Sequence, residues 1–385
     1  MSPTPSGLEA ILLAMADPIV WDQEPHTAAK HRVLRSYLDG WIPVMAQQTL
    51  KAHAYRTSPG RLLLVDGFAG PGCYTHGEPG SPLLMLDALL SHAARSRFDT
   101  VEFLYLFIEH DTGRVARLRK EIDALGTLPA NVKVRIEHGE FESTFGALLD
   151  RITDHGRTFI PTFAFIDPFG YSTSSMSLTG RLLAFPRCEV LIFVPLSYVH
   201  RFVGRDGQDA ALTSLFGCED WRDAISLQGD ERRAFLLSLF ERQLAANPTV
   251  EHVRSFQLRT PDGNDYRLVF GVGHDRGLDL AKDAMWKVDP VAGTFYAART
   301  ETGQEVLFSP SVDTGALLSA LRARFGANLF TTAEAERYTR IETPFRVEHL
   351  RRKTLLPAEK AGHLEIHRAY GTRGLDGARL RFPSR

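Results

Sequence analysis

The sequence predicts an α/β protein: five parallel strands covered by helices on both faces, closed by an antiparallel hairpin and followed by a small C-terminal module. Three observations carry this. Short, nearly continuous apolar runs recur at 62–65, 101–108, 132–136, 162–166 and 190–194, each ending in an acidic residue, a glycine or a proline. Helix-compatible stretches separate most of them, notably 112–125 and 142–153. Apolar strands alternating with helices indicate a parallel sheet buried on both sides. The pattern then changes, because two helical stretches at about 208–217 and 230–246 precede strand-like runs at 255–259 and 266–272. The turn-rich Thr260-Pro261-Asp262-Gly263-Asn264-Asp265 joins those two runs into a hairpin.

Taken in order, residues 1–56 form a helical lead-in, with Leu34, Leu38, Trp41, Ile42 and Met45 at helical spacing in a helix from about Thr27 to Ala52. The sheet domain spans 57–290. A linker at 291–312 is marked by Asp289-Pro290, Gly293, Gly303 and Pro310. Residues 313–385 read as a winged helix. Its first helix covers about 314–325, and Thr331-Thr332-Ala333-Glu334 opens the second as a capping box. Thr343-Pro344 supplies an N-cap and first-turn proline for the third. Wing strands fall at 364–367 and 379–382.

Composition excludes several classes. The 385 residues are 44% hydrophobic and 24% charged, ordinary for a globular chain. No apolar run approaches the roughly 20 residues of a membrane span, so no membrane partner is expected. Met1 to Ala10 lack the basic start of a secretory signal, which makes the cytoplasm the expected compartment. Cys73, Cys188 and Cys218 are isolated, which excludes a cysteine-based metal site or disulfide framework. No histidine pair has zincin spacing, and no phosphate loop or nucleophile elbow occurs; no metal is expected. The net charge is −1, but residues 340–385 hold 11 Lys/Arg and 5 Asp/Glu. A basic C-terminal module on an acidic body suits an anionic partner.

Ligands of such sheets bind beyond the carboxyl ends of the strands, where strand order reverses. The first such end is Asp66-Gly67-Phe68-Ala69-Gly70-Pro71-Gly72. Its glycines run G-x-x-G-x-G, unlike the dinucleotide fingerprint, and match motif I of class I S-adenosylmethionine-dependent methyltransferases. That enzyme class also has five parallel strands capped by an antiparallel hairpin. In this role Gly67, Phe68, Gly70 and Gly72 contact the methionine part of S-adenosylmethionine, and Asp66 orients the loop or the amino group. Glu109, ending the second strand, is placed to accept both ribose hydroxyls. Glu140 and Phe141, after the third, are placed for the adenine amine and ring. Asp167-Pro168-Phe169-Gly170 follows the fourth strand. It resembles the (Asp/Asn)-Pro-Pro-(Tyr/Phe) motif of amino-group methyltransferases without the second proline. There Asp167, Pro168 and Phe169 form the catalytic corner, the carboxylate accepting from a planar amine and the ring stacking on it. In the third C-terminal helix, Arg346, His349, Arg352 and Lys353 form an outward basic stripe opposite Val347, Leu350 and Thr354, suited to nucleic acid.

Together with Lys30-His31, Gly77-Glu78-Pro79-Gly80-Ser81-Pro82, Ala284-Met285-Trp286-Lys287-Val288-Asp289 and Glu342-Thr343-Pro344, these motifs make the chain resemble the three-Cys-motif partner protein (TcmP) family from about residue 28 to 355. The resemblance implies a methyltransferase-like fold and a radical S-adenosylmethionine partner enzyme that carries the three cysteines. The leading expectation is therefore a methyltransferase acting on an amino group, such as that of a nucleic-acid base, which in a duplex must be flipped out. The rival is a non-catalytic nucleic-acid-binding or partner-regulating protein on the same fold. A third reading, a nuclease, gathers Asp66, Glu109 and Asp167 around a metal.

Overall fold

The computed structural model describes residues 19–53, 59–168, 170, 173–297, 312–368 and 374–383. Strand β1 (Gly60–Asp66) lies at the centre of the main sheet, paired in parallel with β2 (Val101–Glu109) on one side and β4 (Thr162–Ile166) on the other. β3 (Val132–His138) continues beyond β2, and β5 (Cys188–Val194) beyond β4, both parallel. β7 (Asp265–Val272) then pairs antiparallel with β5, and β6 (His252–Arg259) antiparallel with β7. The order is β3-β2-β1-β4-β5-β7-β6, extended by β8 (Phe295–Ala297) along β6. β8 falls inside the expected linker and adds a strand to the predicted seven. β4 and β5 are buried along their whole length, as their unbroken apolar runs require. The chain reverses direction across the sheet between β1 and β4, which places the ligand crevice there.

One face of the sheet is covered by α1 (Pro25–His53), α2 (Ser81–Leu90), α3 (Thr112–Asp123) and α9 (Asp275–Val288), sharing a core with Phe163, Phe165 and Phe270. The other is covered by α4 (Phe141–Asp154), α5 (Met176–Leu183), α6 (Leu196–Phe202), α7 (Asp209–Phe216) and α8 (Gly229–Ala245), around Phe145, Trp221 and Phe240. α1 is integral to the first layer rather than a lead-in outside it. Its Tyr37, Leu38 and Trp41 are buried, and the Tyr37 hydroxyl donates to Glu189 Oε2 of β5 at 2.6 Å. Pro43 lies inside α1 without breaking it. A proline has no N–H for the carbonyl four residues earlier, and the Asp39 carbonyl instead meets His92 Nε2 at 3.3 Å.

The C-terminal module contains α10 (Thr314–Phe325), α11 (Thr332–Glu342), α12 (Leu356–Lys360) and a three-stranded antiparallel sheet. That sheet is ordered β10 (Glu365–His367), β11 (Arg379–Arg381), β9 (Phe330–Thr331). The capping box forms as expected, Thr331 and Glu334 each bonding the other's backbone N–H. The third helix does not start at Thr343-Pro344. Thr343 and Arg346 are extended, and only a 3-10 turn (Val347–His349) and a π-type turn (Arg351–Leu355) precede α12. The reason lies in α9. Trp286 Nε1 donates to the Pro344 carbonyl at 2.9 Å. Lys282 Nζ donates to the carbonyls of Thr339, Arg340 and Phe345 at 2.9, 2.6 and 2.6 Å. These donors satisfy carbonyls that a continued helix would otherwise use. Trp286 belongs to the same core cluster as Leu317, Leu350 and Leu380, so the module is seated on α9.

Candidate functional site

The turn after β1 is built around the Asp66 carboxylate. Asp66 is fully buried, and its Oδ1 accepts the Phe68 N–H at 3.1 Å. Oδ2 meets no donor in hydrogen-bond geometry, although the Ser81 hydroxyl lies alongside. Burial pushes this carboxyl up to about 7, against the opposing pull of Ser81 and the Phe68 N–H. Gly70 and Gly72 have φ of 63° and 85°, a region that side chains avoid. A Cβ on Gly67 would lie 2.7 Å from the Phe141 ring. Phe141 is thus packed into the turn, with Phe68 at 5.4 Å and Phe145 at 5.5 Å between ring centres. It is buried rather than presented for stacking, while Glu140 is exposed at the start of α4.

Glu109 ends β2 as expected, but its carboxylate is engaged. At 2% exposure, Oε2 accepts the Gly70 N–H at 2.8 Å and Oε1 the Asp111 N–H at 2.9 Å. It ties the glycine turn to the second strand. Trp21 approaches the same turn from the segment before α1. Its ring would lie 3.9 Å from a Cβ on Gly70, the Arg114 guanidinium sits 5.0 Å from its centre, and its carbonyl accepts the Thr75 N–H at 3.0 Å.

At the end of β4, Asp167 Oδ2 accepts from Lys30 Nζ at 2.5 Å. Lys30, on α1, is only 6% exposed, and its ammonium lies 4.5 Å from the centre of the Phe193 ring. The Pro168 carbonyl accepts the Gly170 N–H at 2.9 Å and closes the turn; Phe169 lies outside the described residues. A cavity of about 400 Å³ opens beside this corner, bounded by Trp21, His26, Phe193, Tyr198 and Tyr266 as well as Lys30 and Asp167. Its rings form a series: His26 stacks on Tyr266 at 5.1 Å and 2°, and Tyr266 on Phe193 at 5.0 Å and 20°. The strand-end motifs do not reveal these walls. They come from the segment before α1, α1, β5, α6 and β7, brought together only by the tertiary fold. The sequence assigns Lys30 no site role; Lys30-His31 enters it only as a piece of the family resemblance.

The basic stripe expected on the C-terminal module does not exist as a stripe. His349 is fully buried, 4.3 Å from the Trp286 ring, and burial lowers its pKa to about 4. Arg346 is turned toward α9, with Nη1 3.4 Å from Asp283, and also pairs with Glu348. Arg352 and Lys353 are exposed. The broken helix explains the difference, since a 3-10 turn followed by a π turn does not keep four residues on one face. Asp66, Glu109 and Asp167 do not bring ligand atoms together either. Among the described residues only Glu251, His252 and Asp275 do so, within 4.8 Å, and Asp275 is already paired with His252 and Arg340. The metal-dependent reading loses its site.

No protein-family model matches this sequence, and no curated protein matches it. Among solved structures, Trm1 from Pyrococcus horikoshii, in complex with S-adenosyl-L-methionine, is similar at 13% identity over 96% of this chain and 93% of that one, with a TM-score of 0.37. EvdMO1 is similar at 14% identity over 61% of this chain and 42% of its own, TM-score 0.29. Trm5b from Pyrococcus abyssi gives 12%, 60%, 50% and 0.25. The chain thus spans about two fifths of EvdMO1 and half of Trm5b.

Among the described residues, no helix is long and apolar enough to cross a membrane.

Proposed function

We propose that this protein is an S-adenosylmethionine-dependent methyltransferase of class I fold that acts on an amino group of a planar ring, such as a base or a related heterocycle. One juxtaposition carries the reading: the Asp66–Gly72 turn and the Asp167 corner flank the reversal between β1 and β4, beside a cavity walled by aromatic rings. The residues fit the cofactor at its methionine end, where the buried Asp66 carboxylate, with no cation paired to it in hydrogen-bond reach among the described residues, suits an ammonium group. At the ribose end Glu109 must share oxygens that already hold two backbone N–H groups, for which a carboxylate has lone pairs to spare.

When bound, S-adenosylmethionine supplies the methyl group and leaves as a thioether. Tyr266 and its neighbours hold the acceptor ring by stacking. Asp167 accepts an amine N–H, which orients the nitrogen lone pair, and takes the displaced proton on its way to water. Catalysis of this kind comes from alignment and a fixed electrostatic setting.

A non-catalytic reading is favoured by one observation, the engagement of both Glu109 oxygens by the loop itself. Thermal melting with S-adenosylhomocysteine separates the two, since a ligand bound only by the folded state raises Tm. An unchanged melting curve at millimolar ligand overturns the methyltransferase proposal. The C-terminal module we read as a winged helix. Its exposed Arg352, Lys353, Arg379 and Arg381 offer cations to an anionic surface, on nucleic acid or on the radical S-adenosylmethionine enzyme that the family resemblance implies.

A further inference from the structure

We infer that the acceptor is an uncharged heterocycle with an amino group next to a ring nitrogen or carbonyl, and that it carries no phosphate. This rests on the methyltransferase reading of the site and narrows it.

The first ground is the pair at the head of the cavity. Lys30 Nζ and Asp167 Oδ2 lie 2.5 Å apart on the same wall. One is a donor with no acceptor capacity and the other, when ionised, an acceptor only. Side by side they match an edge that offers an N–H beside a lone pair, as in adenine or cytosine. Uracil presents a similar edge at N3–H and an adjacent carbonyl, so the pair admits its binding, but uracil lacks the exocyclic amine that a methyl group would be transferred to. Lys30 thus faces the acceptor edge, sent from α1 into a corner that β4 builds.

The second ground is charge at the mouth. Asp22 and Glu24 line the cavity with side chains 75% and 66% exposed. Their neighbours are histidines, His76 at 3.6 Å from Asp22 and His26 at 3.0 Å from Glu24. Burial lowers the His26 pKa, so it brings little positive charge. Lys30 is the lone lysine or arginine lining the cavity among the described residues, and Asp167 already pairs with it. Arg114 and Arg201 lie against wall residues, 5.0 Å from the Trp21 ring and 5.4 Å from the Tyr198 ring, yet neither lines the cavity. Two carboxylates at the opening repel a phosphate and tolerate a neutral ring. At several ångströms through water this amounts to ~10-fold in affinity at low salt.

The third ground is shape. Tyr266 is the middle ring of a stacked series with His26 and Phe193, and Lys30 lies over Phe193, so a flat ring extends the series at its His26 end, and offset stacking of this kind favours flat ligands.

The test is saturation-transfer NMR on the full chain with adenosine, cytidine and their 5′-monophosphates, each with and without S-adenosylhomocysteine. Cofactor binding is measured separately by calorimetry. Adenosine or cytidine is expected to bind saturably and ~10-fold more tightly than its monophosphate at low salt. The gap should close in high salt and in the double variant Asp22→Asn, Glu24→Gln. Lys30→Met should weaken adenosine and cytidine binding, with Lys30→Arg restoring part of it. Monophosphates binding as tightly as nucleosides at low salt, or no binding of adenosine or cytidine at millimolar concentration, each overturns the inference. If S-adenosylhomocysteine binds while the nucleoside pattern is wrong, only the inference fails. If it does not bind, the methyltransferase proposal fails with it.

Discussion

At the scale of single residues, Asp66 and Glu109 do different work from one strand end to the next. Burial holds the Asp66 carboxyl near 7, and its charged form is the one an ammonium group would bind. S-adenosylhomocysteine affinity should therefore rise with pH, by ~10-fold between pH 6 and pH 8 for a carboxyl titrating at 7. Titration calorimetry across that range checks it, and Asp66→Asn should flatten the profile. Glu109→Ala removes the acceptor of two N–H groups, those of Gly70 and Asp111. Leaving a buried donor unsatisfied costs ~1–3 kcal/mol. The variant should be destabilised in urea melts even without ligand, a result that a purely ribose-binding acid would not give.

At the scale of elements, α9 joins the two parts of the chain. Trp286→Ala should cost ~3–5 kcal/mol, the usual loss for a large buried ring, because its ring packs with Leu317 and Phe345 and its N–H holds Pro344. Differential scanning calorimetry should show the loss, with the C-terminal module melting first. Lys282 belongs to the same joint. Burial pushes its pKa down to about 6, while the three carbonyls around it favour the ammonium, whose three N–H groups they match. The elements themselves were largely legible. β4 at 162–166 and α10 at 314–325 fall at the residues that their apolar runs and caps indicated. The seat of the C-terminal module was not. Nothing local in Thr343-Pro344 distinguishes a helix start from a strap held by a lysine and a tryptophan some sixty residues earlier. The strand ends are legible in the sequence as candidate site positions because a topological rule places ligands there. The cavity walls are not, since Trp21, Phe193 and Tyr266 sit in separate segments with no shared motif.

At the scale of the whole molecule, acid should act partly through His349. Its pKa is about 4 when folded, against about 6.5 when free, because burial and the nearby Arg346 and Lys353 disfavour its charge. The unfolded chain therefore binds more protons between those values. The stabilisation is complete above pH 6.5 and declines as pH falls toward 4. The expected contribution is a loss of ~2 kcal/mol between pH 7.5 and pH 5. Urea melts of the parent and of His349→Gln at the two pH values measure it, the variant losing less. Removing residues 313–385 tests the division into parts. The remaining sheet domain keeps both core layers but uncovers Trp286 and Lys282, so it should fold with a lowered Tm and bind S-adenosylhomocysteine at unchanged affinity.

Trp21 lies beside the glycine turn and also lines the aromatic-walled cavity. One side chain thus borders both, and whatever displaces it on one side reshapes the other. Under the methyltransferase reading, the two reactants then cannot load independently. Initial-rate kinetics should show a compulsory order, with the methyl donor first on and its demethylated form last off. Inhibition by that product should be competitive toward the donor and mixed toward the acceptor, and Trp21→Gly should relax the order to random.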